Sequence, residues 1–167
     1  AGAVVEAEPV APGVPSRVEA DTDETKITVS FTALTTTAEQ GGGSATVTSY
    51  ELQWVTVASG GTWAGHSGAS PLSLLTTRTV TPVLAGQVYR FRVAAKNKYG
   101  WGPSGPEVSV YAADVPDTPA APTTAQSTTN MRISWTAPNA HGLTIDAYEI
   151  LILQSDGTTW KASPSCD

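Results

Sequence analysis

Short runs in which apolar and polar residues alternate are the feature that most restricts the fold of this chain. In one run Ile27, Val29 and Phe31 occupy every second position, with polar residues between them. Further runs of this kind are found at residues 50–54, 79–83, 89–95 and 108–110. Clusters of Gly, Pro, Ser and Asn separate the runs, and helix signals are nearly absent. Each strand then buries one face, so the sequence predicts an all-β antiparallel sandwich of two stacked sheets.

The chain also repeats itself. Pro12 matches Pro116 and Phe31 matches Trp135, which is an offset of 104 residues. Farther along, Tyr50-Glu51-Leu52 matches Tyr148-Glu149-Ile150 at the smaller offset of 98. The difference falls in a Thr- and Gly-rich loop at residues 35–46, which is longer than its counterpart around 139–143. Surface loops absorb such insertions at little cost in free energy.

The repeat divides the chain into three parts. We expect residues 1–11 to be the last strand of a preceding copy, 12–115 to be one complete copy, and 116–167 to be the first half of a following copy. A sandwich of this kind needs about 100 residues, so 167 residues do not make a whole number of domains. The sequence therefore predicts a tandem array with incomplete copies at both ends, in a polypeptide that continues.

Composition excludes several classes of function. Nine basic and 15 acidic residues give a net charge of −6, and no basic run is present, so nucleic acid is a poor partner. No apolar stretch is long enough to cross a bilayer, so we expect no membrane insertion in this segment. A single Cys rules out a closed disulfide framework within these residues and a zinc site built from several Cys.

The complete copy resembles a fibronectin type III domain. A Pro-rich start at Pro12 and the pattern Tyr50-x-Leu52-x-Trp54 carry part of the resemblance. The most specific stretch runs from Leu84-x-Gly86-x-x-Tyr89 through Asn97 and Gly100 to Gly105. The resemblance implies an immunoglobulin-like sandwich with a corner at which the Tyr89 hydroxyl bonds to upstream backbone. It also implies that Asn97 and Gly100 shape the hairpin that leads into the last strand.

A narrower resemblance concerns the segments YRFRVAAKNKYGWGPSG, ADVPDTPAAPTT and YEILILQSDGTTW…CD. They are similar to repeats in very large surface proteins of ciliated protists. In those proteins alternate repeats carry a Cys-Asp start that is followed by a second Cys. The resemblance implies that Cys166 forms a disulfide with a cysteine outside this chain.

No constellation of catalytic residues stands out. The two histidines, His66 and His141, lie in Gly-containing loops without a nucleophile and carboxylate in a known arrangement, and we interpret both as solvated loop residues. The acidic residues at 21, 23 and 24 could bind calcium, but the ligand spacing of an EF-hand loop is absent and a solvated turn is favoured. We expect no enzyme activity, no cofactor and no metal.

Five tryptophans remain to be placed. Trp54 and Trp135 alternate with polar residues and should lie in the core. The others lie near turns, where an aromatic ring can contact a protein or stack on a sugar. The candidate contact residues are Tyr99, Trp101, Trp63 and Trp160.

Two functions of different classes follow. The preferred one is a structural and adhesive segment of a secreted or cell-surface protein, in a filament or surface coat, whose partners are neighbouring repeats or other subunits. The alternative is a spacer or carbohydrate-binding module of a secreted polysaccharide-degrading enzyme, with Trp63, Trp101 and Trp160 aligned on one face and glycans as partners.

Overall fold

A computed structural model describes residues 5–63 and 65–162, without the side chains of residues 59, 65 and 66. The first eight strands are β1 (Ser16–Arg17), β2 (Ile27–Ser30), β3 (Ser49–Thr56), β4 (Gly65–Ser67), β5 (Thr77–Val80), β6 (Val88–Asn97), β7 (Gly100–Trp101) and β8 (Val108–Tyr111). They are followed by β9 (Thr123–Ser127), β10 (Asn130–Ser134), β11 (Leu151–Leu153) and β12 (Trp160–Ala162). Two single-turn 3-10 helices lie at Glu19–Asp21 and Val57–Ser59.

The first eight strands form two antiparallel sheets. One sheet has the order β1-β2-β5, and the other has the order β4-β3-β6-β7, with β8 also paired to β6. The core between the sheets contains the fully buried side chains of Ile27, Val29, Leu52, Phe91 and Val93. These are the residues that alternation assigned to the buried faces, and the prediction of an all-β, immunoglobulin-like sandwich is confirmed.

The strand expected at residues 79–83 lies earlier, at Thr77–Val80. Pro82 follows it, and a proline has no N–H with which to continue a ladder. Val83 is nevertheless buried, and its N–H donates to the Thr25 carbonyl at 3.1 Å. Burial alone therefore does not identify a strand residue.

The corner implied by the resemblance is present. The Tyr89 hydroxyl accepts a hydrogen bond from the Leu84 N–H at 2.9 Å, which confirms that prediction. The side-chain oxygen of Asn97 accepts from the Tyr99 N–H at 2.8 Å, and Gly100 has a φ of +144°. This φ belongs to the region that favours glycine, so both residues shape the β6–β7 turn as expected.

Beyond β8 the described chain forms two separate hairpins, β9–β10 and β11–β12. Trp135 follows the first hairpin and is 39% exposed, so the expectation that it lies in a core is wrong here. Trp54, in contrast, is half-buried and packs against the core of the sandwich. Trp135 stays exposed because, within residues 116–162, no second sheet covers the apolar faces of the hairpins.

Candidate interaction surfaces

The described N-terminal residues, from residue 5 onward, lie against the sandwich. The N–H of Ala7 donates to the Gly41 carbonyl at 2.8 Å, and the N–H of Val10 donates to the Glu39 carbonyl at 2.9 Å. Residues 5–11 contain no strand, so they are held by the long loop at 35–46 and by side chains rather than by a ladder. Their assignment to the end of a preceding copy stays a prediction.

A segment with three prolines, at residues 9–15, packs against the loop that joins β7 to β8. Pro9, Pro12 and Pro15 are fully buried, and their spacing of three is the period of a polyproline II helix. Two of these prolines lie directly against glycines. A Cβ on Gly102 would lie 2.0 Å from the Pro9 carbonyl oxygen, and a Cβ on Gly105 would lie 2.2 Å from the Pro12 carbonyl oxygen. The two glycines thus leave space for the approaching backbone.

Tyr99 is the centre of a polar cluster on this surface. Its ring is half exposed, and its hydroxyl donates to the Glu6 carboxylate. Lys98 Nζ lies 2.6 Å from the same carboxylate, and the Ser44 N–H and hydroxyl donate to it at 2.6 and 2.8 Å. The pKa of Glu6 is held well below its usual range, first by the hydrogen bond from Lys98 and then by those from Tyr99 and Ser44. The same contact raises the pKa of Lys98.

Trp63 and Trp101 both contact cationic side chains of β6. Arg92 Cζ lies 4.1 Å from the centre of the Trp63 ring, and Lys96 Nζ lies 5.5 Å from the centre of the Trp101 ring. Arg92 and Lys96 alternate with the core residues of β6, so both rings lie on the outward side of this sheet. Cation–π contacts of this kind hold aromatic rings against a sheet surface.

Trp160 lies elsewhere, in the hairpin β11–β12, and is 59% exposed. Together with Ile133, Trp135 and Tyr148 it lines an apolar groove of about 330 Å³. The structure therefore does not bring Trp160 into one face with Trp63 and Trp101. Cys166 lies outside the described residues, and its pairing stays a prediction.

The structure corrects the interpretation of His141 as a solvated loop residue. Its Nδ1 lies 3.0 Å from a Glu24 carboxylate oxygen, and its Nε2 lies 3.0 Å from one of Asp117. The side chain is only 22% exposed. Glu24 is 117 positions away in sequence, so no local pattern could have revealed this contact.

Two of the three acidic side chains considered for calcium, those of Asp23 and Glu24, bond to other groups of the protein. The carboxylate of Asp23 accepts hydrogen bonds from the N–H groups of Thr25 and Lys26 at 2.7 and 3.0 Å and from the Thr25 hydroxyl. These bonds lower the pKa of Asp23, and the hydroxyl of Thr25 contributes most. Glu24 is engaged by His141. Within residues 5–63 and 65–162, no group of three or more His, Cys, Asp and Glu residues is arranged to hold a metal ion.

Comparison with known proteins places the sandwich in a family. The fibronectin type III domain matches residues 13–111, which is more than half of the chain. The chain belongs to the fibronectin type III family. Domains of this family are generally non-catalytic. In the part of the chain that the structure describes, no helix has the length and apolar character to span a membrane.

Several solved structures are similar to this chain at low identity. A structure of domains A168–A170 from titin is 19% identical, with a TM-score of 0.48 over 64% of this chain and 33% of the titin chain. The FN1–FN3 domains of chicken CNTN1 are 18% identical, with a TM-score of 0.47 over 76% of this chain and 41% of that one. The twitchin kinase region from C. elegans is 22% identical, with a TM-score of 0.45 over 62% and 17%. This chain thus spans less than half the length of each.

Proposed function

We propose that this chain is a non-catalytic structural and adhesive segment of a secreted or cell-surface protein built from tandem fibronectin type III sandwiches. Residues 1–11, 12–115 and 116–167 are then parts of three successive copies, in a filament or surface coat. The family is typical of extracellular and cell-surface proteins, which supports this location. The origin in a large surface protein of a ciliated protist, and the pairing of Cys166 with an outside cysteine, belong to the same proposal.

One repeated aromatic contact carries the proposal. Phe31 and Tyr50 pack edge to face with ring centres 5.2 Å apart and planes at 62°. Trp135 and Tyr148 pack at 5.3 Å and 61°. These are the pairs that the sequence repeat aligns, so the same aromatic contact occurs in both parts of the chain.

The two pairs differ in their burial. Phe31 and Tyr50 are 8% and 2% exposed within the core of the sandwich, whereas Trp135 and Tyr148 are both 39% exposed. Exposed apolar surface is unfavourable in water, and a contact with protein would remove it from the solvent. The remaining strands of a following copy would bury this surface in a core like the one that contains Phe31 and Tyr50.

Mass and shape of the native material test the proposal. An intact mass far above 17.2 kDa is expected, and electron micrographs of the native assembly should show a rod with a repeat near one or two sandwich lengths. A native mass near 17.2 kDa, or a single globular particle, would contradict the tandem arrangement. Peptide mapping without reduction would show whether Cys166 is joined to a peptide from outside these residues.

The carbohydrate-binding alternative requires a platform of three rings. Trp63 and Trp101 share the outward side of one sheet, but Trp160 lies on another, and Arg92 lies over the Trp63 ring. This arrangement favours the structural role. A glycan-binding assay tests the alternative directly: binding that disappears in Trp101→Ala and persists in Tyr111→Ala, a half-exposed residue of β8, would establish it.

A further inference from the structure

A short turn of the following copy is seated on the end of the complete sandwich. The linker after β8 provides two donors: the N–H of Asp114 donates to the His141 carbonyl, and the N–H of Asp117 donates to the Asn139 carbonyl, both at 3.0 Å. The turn at residues 139–142 therefore lies alongside the linker. Its contacts are part of the junction between the two copies.

The His141 side chain joins three segments of the chain. One ring nitrogen faces Glu24 of the complete sandwich, and the other faces Asp117 of the linker, each at 3.0 Å. A neutral imidazole has a single N–H and can donate to only one carboxylate, whereas an imidazolium donates to both. The geometry thus calls for a protonated ring.

Electrostatics agree with this geometry. The pKa of His141 is raised to about 9, first by the hydrogen bond with Asp117 and then by the one with Glu24. The pKa of Glu24 is lowered by the same histidine. The His141 ring therefore stays protonated at neutral pH, and its contacts with Glu24 and Asp117 are ion pairs.

Several other charged groups near the junction have partners of their own. Asp23 raises the pKa of Glu24 slightly, and Lys26 lies 3.9 Å from Asp23. The Asp114 carboxylate accepts from the Val115 N–H at 2.7 Å. The guanidinium of Arg17 donates to the Ala113 carbonyl at 2.8 Å and pairs with Glu19. Among the described charged groups, the direct partners of the His141 ring are therefore Glu24 and Asp117.

Backbone shape adds a second, independent constraint. A Cβ on Gly86 would lie 2.4 Å from the Gly142 carbonyl oxygen, and one on Gly142 would lie 2.8 Å from the Ala112 carbonyl oxygen. Gly142 has a φ of +99°, and His141 itself has a φ of +47°, in the left-handed region that few residues other than glycine adopt. Close backbone contact and an unusual turn conformation thus coincide at the same place.

The structure assigns to this end of the sandwich a docking surface for the 139–142 turn of the following copy, and to the His141 imidazolium the role of a lock that holds the turn there. This docking surface is formed by Glu24, Gly86 and the linker. The junction is then a fixed joint rather than a free hinge. The contacts lie within this chain, and only the extension to every junction of an array rests on the proposed function.

The complete copy shows a related arrangement at its own start. There, Ala7 and Val10 donate to the carbonyls of Gly41 and Glu39, in the loop that the repeat aligns with residues 139–143. In both places the donors are three residues apart and the acceptors are two residues apart. In both, the donor that comes first in the sequence bonds to the acceptor that comes second. In both cases the loop therefore binds backbone at the boundary with the preceding copy, which is the behaviour expected of a repeating joint.

Nuclear magnetic resonance on the 167-residue chain tests the lock. The His141 ring should titrate near pH 9, and Glu24→Gln or Asp117→Asn should each lower its pKa by about one unit or more. Asp114→Asn is the matched control, because this carboxylate bonds to Val115 and should leave the titration nearly unchanged. Titration of the wild-type ring near pH 6.5 would overturn the assignment.

Residual dipolar couplings give a readout of the joint itself. The sandwich and the hairpin β9–β10 should share one alignment tensor in the wild-type chain. In His141→Phe, or when the pH is raised above about 9, the tensors should differ while the couplings within the sandwich stay the same. Identical tensors in His141→Phe, or a hairpin that shows no common alignment in the wild type, would overturn the lock. Neither result depends on the mass or shape of the native material, which test the tandem proposal separately.

Discussion

Tyr89 and Leu84 are joined by a hydrogen bond in which the phenolic oxygen accepts from the backbone N–H at 2.9 Å. Tyr89 is only 5% exposed, so its ring belongs to the core while its hydroxyl holds the corner that precedes β6. Because β6 pairs with three other strands, β3, β7 and β8, the corner fixes where the central strand of the larger sheet begins.

Removal of that hydroxyl should destabilise the sandwich. In Tyr89→Phe the Leu84 N–H loses its acceptor in a part-buried position, which costs about 1–3 kcal/mol. Urea unfolding followed by tryptophan fluorescence measures the change. Tyr111→Phe is the control, since that ring is half exposed, and a change within about 0.5 kcal/mol is expected there. Equal stability of the two variants would show that the corner contributes nothing.

A methyl group on Gly102 should displace the proline-containing segment. Its Cβ would lie 2.0 Å from the Pro9 carbonyl oxygen, a distance that the backbone cannot tolerate without moving. We expect Gly102→Ala to cost about 1–3 kcal/mol and to expose residues 5–15 to protease. Gly13→Ala serves as the comparison because nothing lies within 4 Å of its added Cβ. If limited proteolysis cleaves both variants at the same rate as the wild type, the segment does not depend on this contact.

Attachment of the N-terminal segment should weaken in acid. The pKa of Glu6 is lowered in the folded chain below its ordinary value of 4.5, so its contribution to stability is complete above pH 4.5. That contribution is lost as the pH falls through the lowered pKa, because the protonated carboxyl no longer attracts Lys98. Hydrogen exchange of the Ala7 and Val10 amides should therefore be slower, relative to the intrinsic rate, at pH 6 than at about pH 2.

The variant Glu6→Gln separates this effect from general acid unfolding. Its Ala7 and Val10 amides should exchange faster than those of the wild type at pH 6, and the ratio to the intrinsic rate should hardly vary with pH. Core amides of β6 provide the reference within the same sample. A wild-type pH profile that is unchanged in Glu6→Gln would contradict the role of the carboxylate.

Positions that the sequence repeat aligns should respond differently to truncation. Leu52 is fully buried, so Leu52→Ala should cost about 2–5 kcal/mol in the unfolding of the sandwich. Ile150, which the repeat aligns with it, is half-buried, and Ile150→Ala should cost less than about 1 kcal/mol in this chain. Calorimetry on both variants makes the comparison. A large loss for Ile150→Ala would mean that the second set of strands already has a closed core.

Much of the sandwich could be predicted because its signals are local. Alternation assigned Ile27, Val29 and Phe91 to buried faces, and these faces form the observed core. The resemblance to fibronectin type III domains implied the corner, and the pattern that carries it is local because the bonded Leu84 and Tyr89 are five positions apart. The end of β5 was misplaced because Val83 is buried without belonging to a ladder.

The polar contacts could not be predicted in the same way. Tyr99 and Glu6 are 93 positions apart, and His141 and Glu24 are 117 apart, so neither pair leaves a periodic signal. Trp135 has the alternation of a core residue, yet 39% of its surface is exposed because burial depends on a covering sheet as well as on the strand.

Local sequence thus determined the main strands of the sandwich and their buried faces, because backbone preference and side-chain alternation act over a few residues. The corner at Tyr89 followed from the resemblance to fibronectin type III domains. Only the tertiary structure decided that Glu6 binds Tyr99 and Lys98, that Gly102 receives Pro9, and that His141 bridges two carboxylates. Those contacts arise when distant segments are brought together by the packing of the sheets, and a hydrogen bond between such segments is determined by their positions in space.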